Sequence, residues 1–134
     1  MKKTLALVFA ILLFSCSGTD DKTTDSALIG KWKLTEILMD PGDGSGTFHP
    51  VNSQKITEFH PDGTITSNGS ICMASDQTNF PGKGTYSLVN FTIYSADCAK
   101  GLPLNITFNL EGASLIISYP CDEPCREKYL KTRE

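Results

Sequence analysis

Histidine and basic charge are scarce in this chain, and each shortage narrows the chemistry open to it. His49 and His60 are the whole supply of imidazole in 134 residues. Nucleophilic catalysis needs a base within hydrogen-bonding reach of its nucleophile. One histidine falls in a long connection and the other beside a tight turn, so about a strand's length separates them. Both read as surface residues, and the chain reads as no enzyme. Lysine and arginine number 12 against 15 acids, a formal net charge of -3. Nucleic-acid affinity comes largely from cations that neutralise phosphates, and with no basic stripe the chain is not expected to bind nucleic acid. No lysine follows the glycines of the Gly42 to Gly46 stretch to hold a phosphate, and no cofactor is implied. Long hydrophobic runs are also lacking. Leu5 to Phe14 is apolar throughout, but crossing a bilayer as a helix takes about 20 residues.

That run follows Lys2 and Lys3 and leads to Ser15-Cys16, the layout of a secretory signal. Leu13-Phe14-Ser15-Cys16 resembles the lipobox of bacterial lipoproteins, in which the signal is cut before the cysteine and that cysteine is acylated; Phe14 is an uncommon residue for the pattern. A plain signal peptide that happens to be cut before a cysteine is the alternative. The resemblance implies that residues 1–15 are removed, that Cys16 carries the lipid, and that the acyl chains hold the protein at a membrane. It also implies a bacterial envelope location as an outer-membrane lipoprotein. Cleavage would remove two lysines and no acid, taking the charge from -3 to -5. Residues 16–27 then read as the lipid-anchor cysteine and a polar linker. Asp20-Asp21 resembles the surface-export signal of Bacteroidetes lipoproteins, and Asp25-Ser26-Ala27 resembles their O-glycosylation site. A solvated acidic linker is the plain reading of both.

From residue 28 to 134 the chain repeats short alternating runs and turns rich in Gly, Pro, Asn or Asp, which argues for an all-β sandwich or barrel. Strands are expected at Gly30 to Leu38, Lys55 to Phe59, Thr64 to Ser67, Gly84 to Leu88, Phe91 to Tyr94, Leu104 to Leu110, Leu115 to Tyr119 and about Glu127 to Thr132. In the first, period-two alternation puts Trp32, Leu34, Glu36 and Leu38 on one face. Short turns (Pro61-Asp62-Gly63, Val89-Asn90, Gly112-Ala113) alternate with long connections at 39–54, 68–83, 95–103 and 120–126. In a meander, alternate connections share an end. The expected fold is therefore an eight-stranded up-and-down antiparallel barrel with a closed end and an open mouth.

Gly30-Lys31-Trp32 at the start of the first strand, the strand count, the Asp40 to Gly46 loop and the terminal Cys121 to Cys125 segment resemble the lipocalins, and more narrowly the small lipocalin-like domain of secreted Bacteroidetes proteins. The likeness covers Leu28 to Arg133. It implies that Gly30, Trp32 and a basic residue near the end of the last strand close the barrel floor. Topology sets the end of that strand beside the start of the first, so Arg133 is expected over the Trp32 indole as a cation-π pair. The chain is shorter than ordinary lipocalins and shows no helix signal after its last strand.

Setting Cys16 aside leaves Cys72, Cys98, Cys121 and Cys125, and an even number in an exported protein implies disulfides. The pairing taken is Cys72 with Cys98 and Cys121 with Cys125; four thiolates around a zinc ion compete with it, although no Cys-x2-Cys spacing is present. Asp40, Asp43 and Ser45 do not match the spacing of an EF-hand calcium loop and read as an acidic flap, so no metal is expected. Asn68, Asn90 and Asn105 each begin an N-x-Ser/Thr pattern, read here as polar strand and loop residues. Glu36 is expected inside the barrel, where it pairs with Lys128 or Lys131, or, second, touches a ligand, or faces water at the mouth. Leu34, Leu38, Phe91, Phe108 and Tyr119 complete a candidate ligand-lining set. The functional expectation is a monomeric, lipid-anchored barrel that binds a small apolar or amphipathic molecule. Its rival is a filled barrel whose stiffened mouth loops contact a protein, as an inhibitor or an envelope assembly factor.

Overall fold

The structure is a computed structural model that describes residues 25–98 and 105–133. The signal segment, Cys16, the Asp20-Asp21 pair and the expected start of the sixth strand at Leu104 lie outside the described residues. Nine strands follow one another: β1 (Gly30–Met39), β2 (Phe48–Pro50), β3 (Ile56–Phe59), β4 (Thr64–Ser67), β5 (Gly82–Ser87), β6 (Thr92–Tyr94), β7 (Ile106–Glu111), β8 (Ser114–Tyr119) and β9 (Cys125–Lys131). All pairings are antiparallel between neighbours, and β1 also pairs with β9 from Trp32↔Lys131 to Met39↔Cys125, which closes the ring. Closure pairs the long staves on both sides and leaves only the outer edge of three-residue β2 unpaired among the described strands, too short to template association with another chain.

Nine strands make eight staves. β3 pairs with the first half of β1 (Gly30↔Phe59 to Lys33↔Ile56), and β2 pairs with its second half (Glu36↔Pro50 to Leu38↔Phe48) along the same edge. The two are pieces of one interrupted stave. β2 lies in a connection expected to be loop; three residues ending in proline carry too little alternation to announce a strand.

The alternation that sequence predicts for β7 is present: Ile106 and Phe108 are buried, while Asn109 is exposed. Leu115, Ile117 and Tyr119 of β8 and Cys125 and Tyr129 of β9 join them in one core with Trp32, Leu34, Phe59 and Ile65. Phe59, Tyr86, Phe91 and Phe108 meet edge to face or tilted, with centroids 5.1 to 6.2 Å apart, separations at which aromatic pairs attract.

Three tight turns fall at one end, as the meander requires. Gly63 (φ +84°) and Gly112 (φ +61°) supply the left-handed backbone that two of them need. That end is stoppered by the chain's own approach. Residues 25–28 form a helical turn where linker was expected, Leu28 is fully buried, and the Trp32 indole N–H donates to the Leu28 carbonyl at 2.8 Å. The cation over the indole is Lys131, 5.4 Å from the ring centroid, and its ammonium also donates to the Ala27 carbonyl at 2.6 Å. This corrects the assignment of that role to Arg133. Lys131 is the residue in register with Trp32, while Arg133 lies past the end of β9.

The second correction concerns β1 itself. Leu34 pairs with Tyr129 and Glu36 with Lys128, so Thr35 is an extra residue and the register shifts. A bulge of this kind reverses the facing of every residue after it. Glu36 therefore turns outward with Lys128 and Ile37 packs against the core, while Leu38, in register with Phe48 and Arg126, is buried but stands outside the main core cluster. Alternation alone carries no mark of one inserted residue.

Gly84 marks where β5 passes closest to its neighbour. A Cβ there would sit 2.2 Å from the Tyr94 carbonyl oxygen. We predict that Gly84→Ala lowers unfolding free energy by about 1 to 3 kcal/mol, the usual cost of overpacking, read from the urea midpoint. A wild-type midpoint would contradict so close an approach.

Candidate functional site

The long connections gather at the end opposite the Trp32 plug, and beneath them the barrel is polar and dry. Glu127 points inward from β9 by parity with Cys125 and Tyr129, and Lys55 does so by parity with Thr57 and Phe59. Both side chains are completely buried, with Lys55 Nζ 2.7 Å from Glu127 Oε1. The same oxygen accepts the Ser75 backbone N–H at 2.8 Å. Oε2 accepts two phenol hydroxyls, Tyr119 and Tyr129, each at 2.5 Å. Lys55 also donates to the Ser75 carbonyl at 3.2 Å. The Thr57 hydroxyl lies 3.1 Å from Ser67 Oγ and 3.5 Å from the Tyr129 oxygen, extending the network toward the floor. No buried side-chain nitrogen or oxygen among the described residues lacks a partner. A buried charge is tolerated only when paired and bonded in this way.

The electrostatics follow from the dryness. Burial pushes both Tyr119 and Tyr129 well above the usual phenol range, and the nearby Glu127 carboxylate adds to it for both. They stay neutral and remain donors. Burial draws Lys55 down from its ordinary value, opposed by the Glu127 charge.

The connection between β4 and β5 closes the mouth. Ser75 reaches the Lys55 and Glu127 side chains through its backbone, and the Ser53 hydroxyl donates to the Asp76 carbonyl at 2.6 Å. At Gly69 a Cβ would stand 2.4 Å from the Gln77 carbonyl oxygen, so the loop folds tightly on itself. The Cys72–Cys98 disulfide ties this loop to the β6–β7 connection, and Cys121–Cys125 bridges the β8–β9 connection. With all four thiols paired, none is left as a zinc thiolate, and the pairing is the expected one. The mouth anticipated as open is lidded.

The acidic loop after β1 is occupied by its own backbone. Asp40 Oδ1 accepts the N–H groups of Gly42, Asp43 and Gly44 at 2.8 to 3.2 Å, and Oδ2 accepts that of Gly46 at 2.7 Å. These bonds, that from Gly42 foremost, hold its carboxyl below the usual range. Asp43 accepts both the backbone N–H and the hydroxyl of Ser45, and the hydroxyl bond leads in lowering it too. Among the described residues no group of three or more His, Cys, Asp or Glu side chains could hold a metal ion.

The candidate ligand-lining residues do not form one site. Leu34, Phe108 and Tyr119 are buried in the core. Phe91 is at the floor turn against Phe108. Glu36 lies on the outer wall, where it pairs with Lys128 at 2.9 Å, and Leu38 is buried outside the main core cluster, in register with Phe48. Among the described residues, two recesses of ligand size open on the outer surface. A recess of about 390 Å³ lies beside the lid, lined by Ile71, Cys72, Met73, Phe80 and Pro81 among others. A second, of about 450 Å³, runs along the outer wall between β4 and β6 past Tyr94 and shares Asp97 with the first. Met73 and Phe80 are 61% and 67% exposed. His49 and His60 lie apart, on β2 and beside the Pro61 turn; His60 is 3.0 Å from the Thr66 hydroxyl.

No family model matches this chain. No curated protein and no solved structure matches it either.

Sequence reasoning passed over Lys55 and Glu127, although parity along β3 and β9 would have turned both inward. We predict that in alkaline titration Tyr119 and Tyr129 ionise only well above the ordinary phenol value or as the barrel unfolds. Because their folded pKa values are raised, their contribution to stability is complete below about 10 and is lost as pH climbs through the folded values. Phenolate absorbance in native and denatured protein measures this. Tyr119 and Tyr129 ionising at about 10 in the native protein would contradict a buried network.

Proposed function

We propose that the chain is a lipid-anchored, lipocalin-like binding module of the bacterial envelope that recognises its partner with the outside of its loop end. The observation that carries this reading is the seating of the lid on the Lys55–Glu127 pair, which fills the barrel axis where a lipocalin would hold a ligand. Small eight-stranded barrels either fill with side chains or hold one ligand, and this interior is occupied from Leu28 to the lid. The Met73 and Phe80 recess, braced by Cys72–Cys98, presents apolar surface on a stiffened frame, which lowers the ordering cost of association. A protein that inserts an apolar side chain there suits the recess.

A second reading is favoured by size. About 390 Å³ falls within the range of small-molecule sites, so an amphipathic ligand could occupy the recess itself. In both readings Cys16 carries the anchor, the outer membrane is the location, possession of a disulfide frame suits an oxidising compartment, and no catalytic step is involved.

Native mass spectrometry of the chain recovered from cells that make it tests this. The expected result is a mature chain lacking four hydrogens for its two disulfides, with no small-molecule adduct. An adduct lost on denaturation and also lost in Phe80→Asp would move the assignment to the small-molecule reading. An adduct retained in Phe80→Asp would overturn the filled-barrel account and place a ligand inside.

A further inference from the structure

The stoppered floor carries an apolar turn whose tip, Val89, projects into solvent. Between β5 and β6 the turn reads Leu88-Val89-Asn90-Phe91. Leu88 packs against the core, but Val89 is 95% exposed and Phe91 42%. Hairpin turns favour Gly, Asn and Asp at positions with φ > 0. Here a phenylalanine takes φ 53°, a conformation unusual for a bulky side chain. Its carbonyl accepts the Phe108 N–H at 2.9 Å and its ring meets Phe108 at 5.8 Å, so the turn is held with its apolar tip outward.

Single exposed apolar residues are ordinary; the placement of this pair is what matters. The Val89 turn lies at the end where the chain arrives, through the helical turn at 25–28 and the Leu28 plug. Lys131, which ends the last strand and already donates to the Ala27 carbonyl, and Arg133 just beyond it lie there, across the ring from β5 and β6, with the exposed acids Asp62 and Glu111 in the other two turns of that end. Counting back from Asp25, nine peptide units reach Cys16. Fully extended they span at most about 30 Å. A lipid on Cys16 thus keeps the floor near the bilayer, with the lid and its recess at the opposite end.

We propose that this barrel stands with its floor against the lipid bilayer, Val89 and Phe91 entering the headgroup boundary and Lys131 and Arg133 beside lipid phosphates. The assignment rests on the reading that Cys16 is acylated. An apolar tip with cations at the same end suits an interfacial contact, and it fixes which way the recognition surface points: away from the membrane.

The test uses the full chain made in a lipidating bacterial host and reconstituted into phosphatidylcholine and phosphatidylglycerol vesicles, part of whose phospholipid is brominated along the acyl chains. Val89→Trp places an indole at the exposed tip and Met73→Trp places one at the lid; wild type, with Trp32 buried, sets the background. Intact-mass measurement reports the acyl chains on each sample. The expected result is blue-shifted emission from the Val89→Trp protein, with bromine quenching at least twofold above background, and quenching at background level for Met73→Trp. Acylated protein with an unquenched Val89→Trp signal, or with Met73→Trp quenched instead, overturns the orientation and leaves the anchor standing. Protein with no acyl chain overturns the anchoring reading and the orientation with it.

Discussion

A carboxylate shut away from water has to be given its donors by the protein, and Glu127 receives four from four different places in the chain: Lys55 ahead of β3, Ser75 in the lid, Tyr119 at the end of β8, and Tyr129 two residues along its own strand. Each donor fixes an element. Lys55 ties the interrupted stave to β9 over the intervening β1, the two tyrosines set the ends of β8 and β9, and the Ser75 backbone seats the lid. Removing one partner of a buried ion pair costs about 3 to 5 kcal/mol because a bare charge is left behind. A pair of this kind is weak evidence of added stability over an apolar core. Its effect here is on arrangement: while the pair stands, the lid is down and the axis is full.

The two ends of the barrel consequently do different things. The floor is closed by contacts made by the chain as it enters, with Leu28 under Trp32 and Lys131 over the indole. The upper end is closed by a loop that has little secondary structure of its own and is held by a disulfide, one ion pair and a few backbone bonds. Its outer surface offers the Met73 and Phe80 recess. The division supports the proposal of a module anchored by one end and recognising by the other.

Much of the barrel was legible from alternation and turn chemistry because both are local. β7 and β8 declare their faces residue by residue, and Pro61-Asp62-Gly63 declares its turn. Loops sharing one end brought the four cysteines together but left three pairings open, of which the one chosen is the one present. What local pattern could not carry was anything decided by a neighbour. The bulge at Thr35 is set by pairing with β9, and it alone turned Glu36 from the interior to the outer wall. β2 exists because β1 offers an edge to three residues that would otherwise be loop. The cation over Trp32 is chosen by register, which fell on Lys131 two positions short of Arg133. Of the candidate site, the buried pair was accessible by parity, but the lid that completes it was not, since its part in the network is played by a serine backbone with no sequence signature.

The most direct test of a hub that holds the lid and fills the axis is a double-mutant cycle on Lys55→Met and Glu127→Gln, measured by urea unfolding. Each single change should cost about 3 to 5 kcal/mol by stranding the other's charge. The double variant, in which neither charge remains, should be less unstable than the two losses combined by about 1 to 3 kcal/mol. Losses that add to within about 0.5 kcal/mol, or single variants as stable as wild type, would contradict the account.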